Sequence, residues 1–146
     1  NVLPIIKRNF TGKTNVKLYG IELGDFSDYG SITGYDYVSV NVYAIGTSAE
    51  EFLKYIKEMV LPYMNECVEK YNLKGYLFGE MGVPVTEAEQ AQIFQQFFES
   101  TWNDDNNKGY FLSGWGPKVA LDDPFPDTRF TGRPAEDVIK KWYNKR

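Results

Sequence analysis

The stretch Gly75–Pro84, "GYLFGEMGVP", decides how the rest of the chain is read. An apolar run of this length, closed by Gly82 and Pro84, reads as a buried strand. Yet it delivers one carboxylate, Glu80, near its end. An unpaired buried carboxylate is costly, so a strand-end Glu is hydrogen-bonded, ion-paired or put to use. The residue alone leaves two readings open, a structural hydrogen-bonded acid and a functional one. Gly79 and Gly82 leave room for a ligand or a neighbouring backbone to come close. With a period of two, Tyr76, Phe78 and Glu80 are expected to share one face of this strand.

Working outward, three further segments have strand composition: Val16–Leu23 "VKLYGIEL", Asp36–Ala44 "DYVSVNVYA" and Gly109–Trp115 "GYFLSGW". Helical stretches lie between and after them. Ser48 and Glu51 form a capping-box pattern. From there Phe52, Leu53, Ile56, Met59, Val60, Met64 and Val68 recur at helical spacing toward Tyr71. Pro62 interrupts this run and predicts a kink or break near Leu61. Thr86 and Glu89 repeat the capping-box pattern before Ile93, Phe94, Phe97 and Phe98. A last helix starts at Pro134 and carries Val138, Ile139 and Trp142 inward, with Tyr143 at the margin of that face. The opening stretch Asn1–Phe10 reads equally as the end of a helix or as its exit loop. Strands alternating with helices imply a parallel sheet, hence an α/β layer or barrel, in one unit over residues 1–146.

In such folds the ligand lies at the C-terminal ends of the strands, where loops and helix N-termini converge. The residues at those ends are Glu22 and Asp25, Asn41 and Tyr43, Glu80, and Ser113 with Trp115. Only one of Asn41 and Tyr43 is expected to point at the site unless a bulge intervenes. Trp115 reads either as a core residue or as a stacking platform.

Composition narrows the chemistry. Aromatic residues make up 16% of the chain, eleven Tyr, ten Phe and three Trp, which suits either an aromatic core or a site that stacks flat ligands. The net charge of −4 and the lack of a basic run argue against nucleic acid. No apolar stretch is long enough for a membrane span. The lone Cys67 excludes an internal disulfide. There is no histidine, which removes Ser-His-Asp and Cys-His catalysis and most zinc sites. No spaced cluster of acids suggests a metal, and no cofactor is expected. Any acid–base work falls to carboxylates.

Four motifs carry a family resemblance. "KGYLFGEMGVPVTEAEQAQIFQQFFE" resembles the seventh strand and following helix of the (β/α)8-barrel superfamily of retaining glycoside hydrolases, where a strand ending in Glu-x-Gly bears the nucleophile. "YDYVSVNVYAIG" is similar to the sixth strand of that superfamily, and "GYFLSGWGPK" to its eighth. The tail "DDPFPDTRFTGRPAEDVIKKWY" resembles the closing segment of endo-mannanase-type barrels, with Arg133 where they carry Lys. The resemblance spans Val16 to Tyr143 and implies an α/β fold, the C-terminal half of a TIM barrel, strands five to eight. It implies that Glu80 attacks the anomeric carbon of a β-linked polysaccharide, that Tyr43 orients that carboxylate, and that Trp115 stacks under the sugar. Asn41, Glu22 and Asp25 would line the substrate cleft. The substrate class also implies an extracellular or cell-surface location.

One element of the pattern is missing. Retaining hydrolysis uses two carboxyl groups about 5–5.5 Å apart. The superfamily's acid/base glutamate follows an asparagine at the end of the fourth strand. The one Asn-Glu pair of this chain, Asn65-Glu66, falls inside a helical pattern instead. Three arrangements would account for this: a first half-barrel present as a separate chain or fragment, two copies pairing so that Glu80 faces Glu22 or Asp25 of the other, or a piece without activity of its own. The contrasting reading is a non-catalytic carbohydrate-binding or structural protein built on the same barrel. A generic α/β protein of unrelated function is the third.

Overall fold

Strands form where β-branched and aromatic residues cluster: β1 Asn15–Tyr19, β2 Tyr37–Tyr43, β3 Tyr76–Gly82 and β4 Asn107–Leu112. They make one sheet in the order β1-β2-β3-β4, with every neighbouring pair parallel. This computed structural model describes residues 2–19, 31–44, 47–114 and 128–145. Glu22, Asp25 and Trp115 lie outside the described residues.

The helices follow their sequence signals with two departures. The stretch left open at the start is a helix, α1 Leu3–Asn9. Ser48 accepts from the Glu51 amide and Glu51 reaches back to Ser48, so the expected capping box opens α2 Ala49–Tyr55. The interruption expected at Pro62 takes the form of a π-helical segment, Ile56–Val60, followed by α3 Leu61–Tyr71. Proline has no N–H, and its ring crowds the carbonyl four residues back. The wider turn avoids that conflict: the Leu61 amide bonds to the carbonyl of Ile56, five residues earlier. Asn72, in the left-handed conformation with φ 51°, then ends α3. The second capping box is not formed. The Thr86 hydroxyl donates to Glu89 at 2.6 Å and caps no amide of α4 Glu87–Thr101. The last helix, α5, is Pro134–Tyr143.

Alternation along the strands separates two faces. Val38, Val40 and Val42 of β2 belong to one hydrophobic cluster with Phe52, Ile56, Val60 and Met64 of the α2–α3 region and Phe94 and Phe97 of α4. The aromatic-rich composition is largely spent there. Phe78 meets Phe97 edge-on at 4.7 Å and stacks on Tyr110 at 5.7 Å. Trp102 stacks on Tyr110 and lies 5.3 Å from Trp142. The other face is polar: Asn15 of β1 donates to Ser39 of β2, and Asn41 of β2 donates to Glu80 of β3. Among the described residues no helix is long and apolar enough to cross a membrane.

Both faces of β3 are set by a bulge. Val40 pairs with Phe78, but the next residue, Asn41, pairs with Glu80, so Gly79 is an extra residue in the ladder. The expectation that Tyr76, Phe78 and Glu80 share a face is therefore overturned. Tyr76 and Phe78 are fully buried in the helix-side core, whereas Glu80 contacts the polar face of β2. A Cβ on Gly79 would fall 2.8 Å from Ser39 Oγ, which is why this position of the bulge holds glycine.

Candidate functional site

Glu80 lies near the C-terminal end of β3, and its side chain is 36% exposed. Its Oε2 accepts from Asn41 Nδ2 at 3.1 Å and from Lys17 Nζ at 3.2 Å. Hydrogen bonds from the Tyr43 hydroxyl and from Ser113 join them. Three strands and the residue after β4 thus converge on one carboxylate. The hydrogen bond from Tyr43 is the largest influence on its ionisation and holds it below the ordinary glutamate range. Partial burial pushes the other way, and Lys17 and Ser113 again favour the charged form. Glu80 is an ionised, multiply held carboxylate open to solvent on one side.

The expectation that only one of Asn41 and Tyr43 reaches the site is corrected. Residues two apart on a strand share a face, and both contact Glu80. The bulge that aims the carboxylate lies in β3, opposite them. Asn41 is 4% exposed, and among the described residues its Oδ1 has no hydrogen-bond partner. Gly82 gives Tyr43 its place: a Cβ there would stand 2.5 Å from the Tyr43 ring and 2.7 Å from Thr128 Cγ2. Buried Gln90 holds that segment by donating to the carbonyls of Val83 at 2.9 Å and Arg129 at 3.1 Å. Asn65-Glu66 sits within α3, as its context indicated.

Lys17 is the site residue that sequence reading passed over. The signal was present: Asn15 and Lys17 alternate with Val16 and Leu18, so one face of β1 is polar although it belongs to a parallel sheet. Among the described residues no group of three or more Cys, Asp or Glu could hold a metal ion. Among the described residues the side chains that hold Glu80, those of Asn41, Tyr43, Lys17 and Ser113, include no second carboxylate.

No protein-family model matches the chain, and no curated protein matches it by sequence. Solved structures do. A GH113 β-1,4-mannanase aligns with a TM-score of 0.67 at 20% identity, over 99% of this chain and 50% of that one. The GH113 β-mannanase AaManA from Alicyclobacillus acidocaldarius, in complex with ManMIm, aligns with a TM-score of 0.67 at 17% identity, over 99% of this chain and 49% of that one. The chain spans about half the length of the structures it matches. At such identity the likeness speaks for the fold: an α/β chain whose four parallel strands correspond to half of a TIM barrel.

Proposed function

We propose that this chain is the C-terminal, nucleophile-bearing half of a retaining β-glycosidase acting on a β-1,4-mannan or a related β-linked polysaccharide, by hydrolysis or by transfer to another sugar. The observation that carries the reading is the bulged end of β3, which turns Glu80 away from the core and into hydrogen bonds from Asn41, Tyr43 and Lys17. A carboxylate kept charged and partly exposed at a strand's C-terminal end suits attack on an anomeric carbon. The mannanase structures of the same fold supply the substrate class.

In the first step a Glu80 oxygen bonds to the anomeric carbon while the leaving oxygen takes a proton from an acid on the other half-barrel. Water, or a sugar hydroxyl, then attacks the resulting ester and frees Glu80 as carboxylate. Asn41 and Tyr43 fix the direction of attack. The half-barrel carrying the acid/base is the partner this mechanism requires, as a separate chain, a fragment or a second copy.

The test is turnover of manno-oligosaccharides by the closed barrel, with product configuration followed by NMR. Retention is expected, and Glu80→Gln should cost at least about a thousandfold in kcat while oligosaccharide binding survives. Near-normal turnover by E80Q eliminates Glu80 as nucleophile. The second reading, a carbohydrate-binding protein without chemistry, draws on the side chains that hold Glu80, none of which is an acid. Sugar binding with no product from the closed barrel would favour it.

A further inference from the structure

Lys17 and Glu80 belong to strands that are not neighbours. Lys17 is paired with Ser39 across β1–β2, and Glu80 with Asn41 across β2–β3. The lysine chain must therefore cross β2 to bring its ammonium within 3.2 Å of Glu80 Oε2. Two small residues leave the sheet low along that path. Ser39 is one, and Gly79 is the other, where even a Cβ would collide with the serine. Holding a long, flexible side chain over another strand costs rotamer entropy. The pair is 43% and 36% exposed, and an ion pair that open to water adds little to fold stability. Its effect falls instead on the carboxylate.

We propose that Lys17 is a positioning residue that supplies the counter-charge of Glu80, aligning the carboxylate for attack and favouring its departure when the glycosyl ester is cleaved. The roles in attack and departure rest on the glycosidase reading; the charge pairing does not. When the Glu80 oxygen bonds to the anomeric carbon, the carboxyl loses its charge and Lys17 loses its partner. When water attacks that carbon, its proton passing to the acid/base group of the other half-barrel, the ester C–O bond breaks and its electron pair returns to Glu80, opposite the waiting ammonium. A neutral residue at position 17 makes Glu80 a poorer leaving carboxylate and lengthens the life of the ester. Among the described groups in contact with Glu80, Lys17 is the cation. The others are Asn41 and Tyr43 from β2 and Ser113 beyond β4.

The experiment follows the Glu80 side-chain carbon by NMR across pH in wild type, Lys17→Met and Lys17→Arg, with Lys17→Gln as a second neutral variant should K17M not fold. A nearby opposite charge favours the ionised carboxylate. The Glu80 midpoint should therefore rise in K17M and return toward wild type in K17R. An unmoved midpoint in a folded neutral variant overturns the proposal. In the closed barrel, K17M should also release product from the glycosyl-enzyme up to about tenfold more slowly, about 1.4 kcal/mol in the barrier. Equal release rates overturn the departure role. A displaced midpoint in a protein that turns over no glycoside, wild type included, would sink the glycosidase reading and leave the charge pairing standing.

Discussion

Glu80 illustrates how one residue's surroundings determine its chemistry. Its neighbours hold it charged, so in the folded protein its carboxyl titrates below the unfolded value. The sign of the stability effect follows: the contribution is present above the unfolded pKa and fades as pH falls through the folded one. E80Q should therefore flatten the stability curve on its acid side, as thermal melts from about pH 3 to 6 would register. An unchanged curve would mean that Glu80 titrates as it does in the unfolded chain. Gly82 sets a second residue-scale expectation. Gly82→Ala places a methyl 2.5 Å from the Tyr43 ring, so Tyr43 must move off Glu80 and the carboxyl midpoint should rise. Cys67 is the contrasting case: burial pushes its thiol up to about 12, so alkylation should proceed only as the protein unfolds. Ready labelling of folded protein would contradict that burial. The sequence made Glu80 and Tyr43 legible through a motif resemblance. Lys17 was passed over although its polar face on β1 was visible, because a lysine on a strand reads as solvated until its neighbouring strands are known.

At the scale of elements, strong local signals carried through and weak ones did not. The helical spacing from Phe52 to Val68 survives as α2, the π segment and α3, and the proline marks where the turn widens. The parallel pairing of the strands could be read from alternation with helices. The bulge at Gly79 could not, because a one-residue register shift between β2 and β3 is a property of the pair, not of either sequence. That shift is what turned the expected placement of Tyr76 and Phe78 inside out. The failed capping box at Thr86 has a similar cause: its hydroxyl prefers the Glu89 carboxylate to the open amides of α4. Cap and core should differ in what their loss costs. Ser48→Ala removes a formed cap and should cost about 1 kcal/mol in chemical denaturation. Phe97→Ala empties a fully buried site against Phe78, Phe98 and Tyr110 and should cost about 3–5 kcal/mol. Equal losses from the two would contradict the placement of the core between sheet and helices.

At the scale of the whole molecule, the sheet has two edges, β1 and β4, each with one neighbour among the described strands. Ile5 and Phe10 in and beside α1 and Phe111 on β4 are more than half exposed. Unpaired edges and exposed apolar side chains favour association, so this chain by itself should self-associate in sedimentation, and a closed barrel should not. A well-behaved monomer across concentration would count against the half-barrel account. The fold likeness to mannanases over half of their length fits the same picture. The most direct test of the central claim is covalent. The closed barrel is treated with an activated 2-deoxy-2-fluoro-β-mannoside, which forms the glycosyl ester and hydrolyses it slowly, and the digest is read by mass spectrometry. The account predicts one added sugar, on the peptide bearing Glu80 and on that side chain. A sugar attached to another residue, or turnover of mannan with no trapped ester, would contradict it.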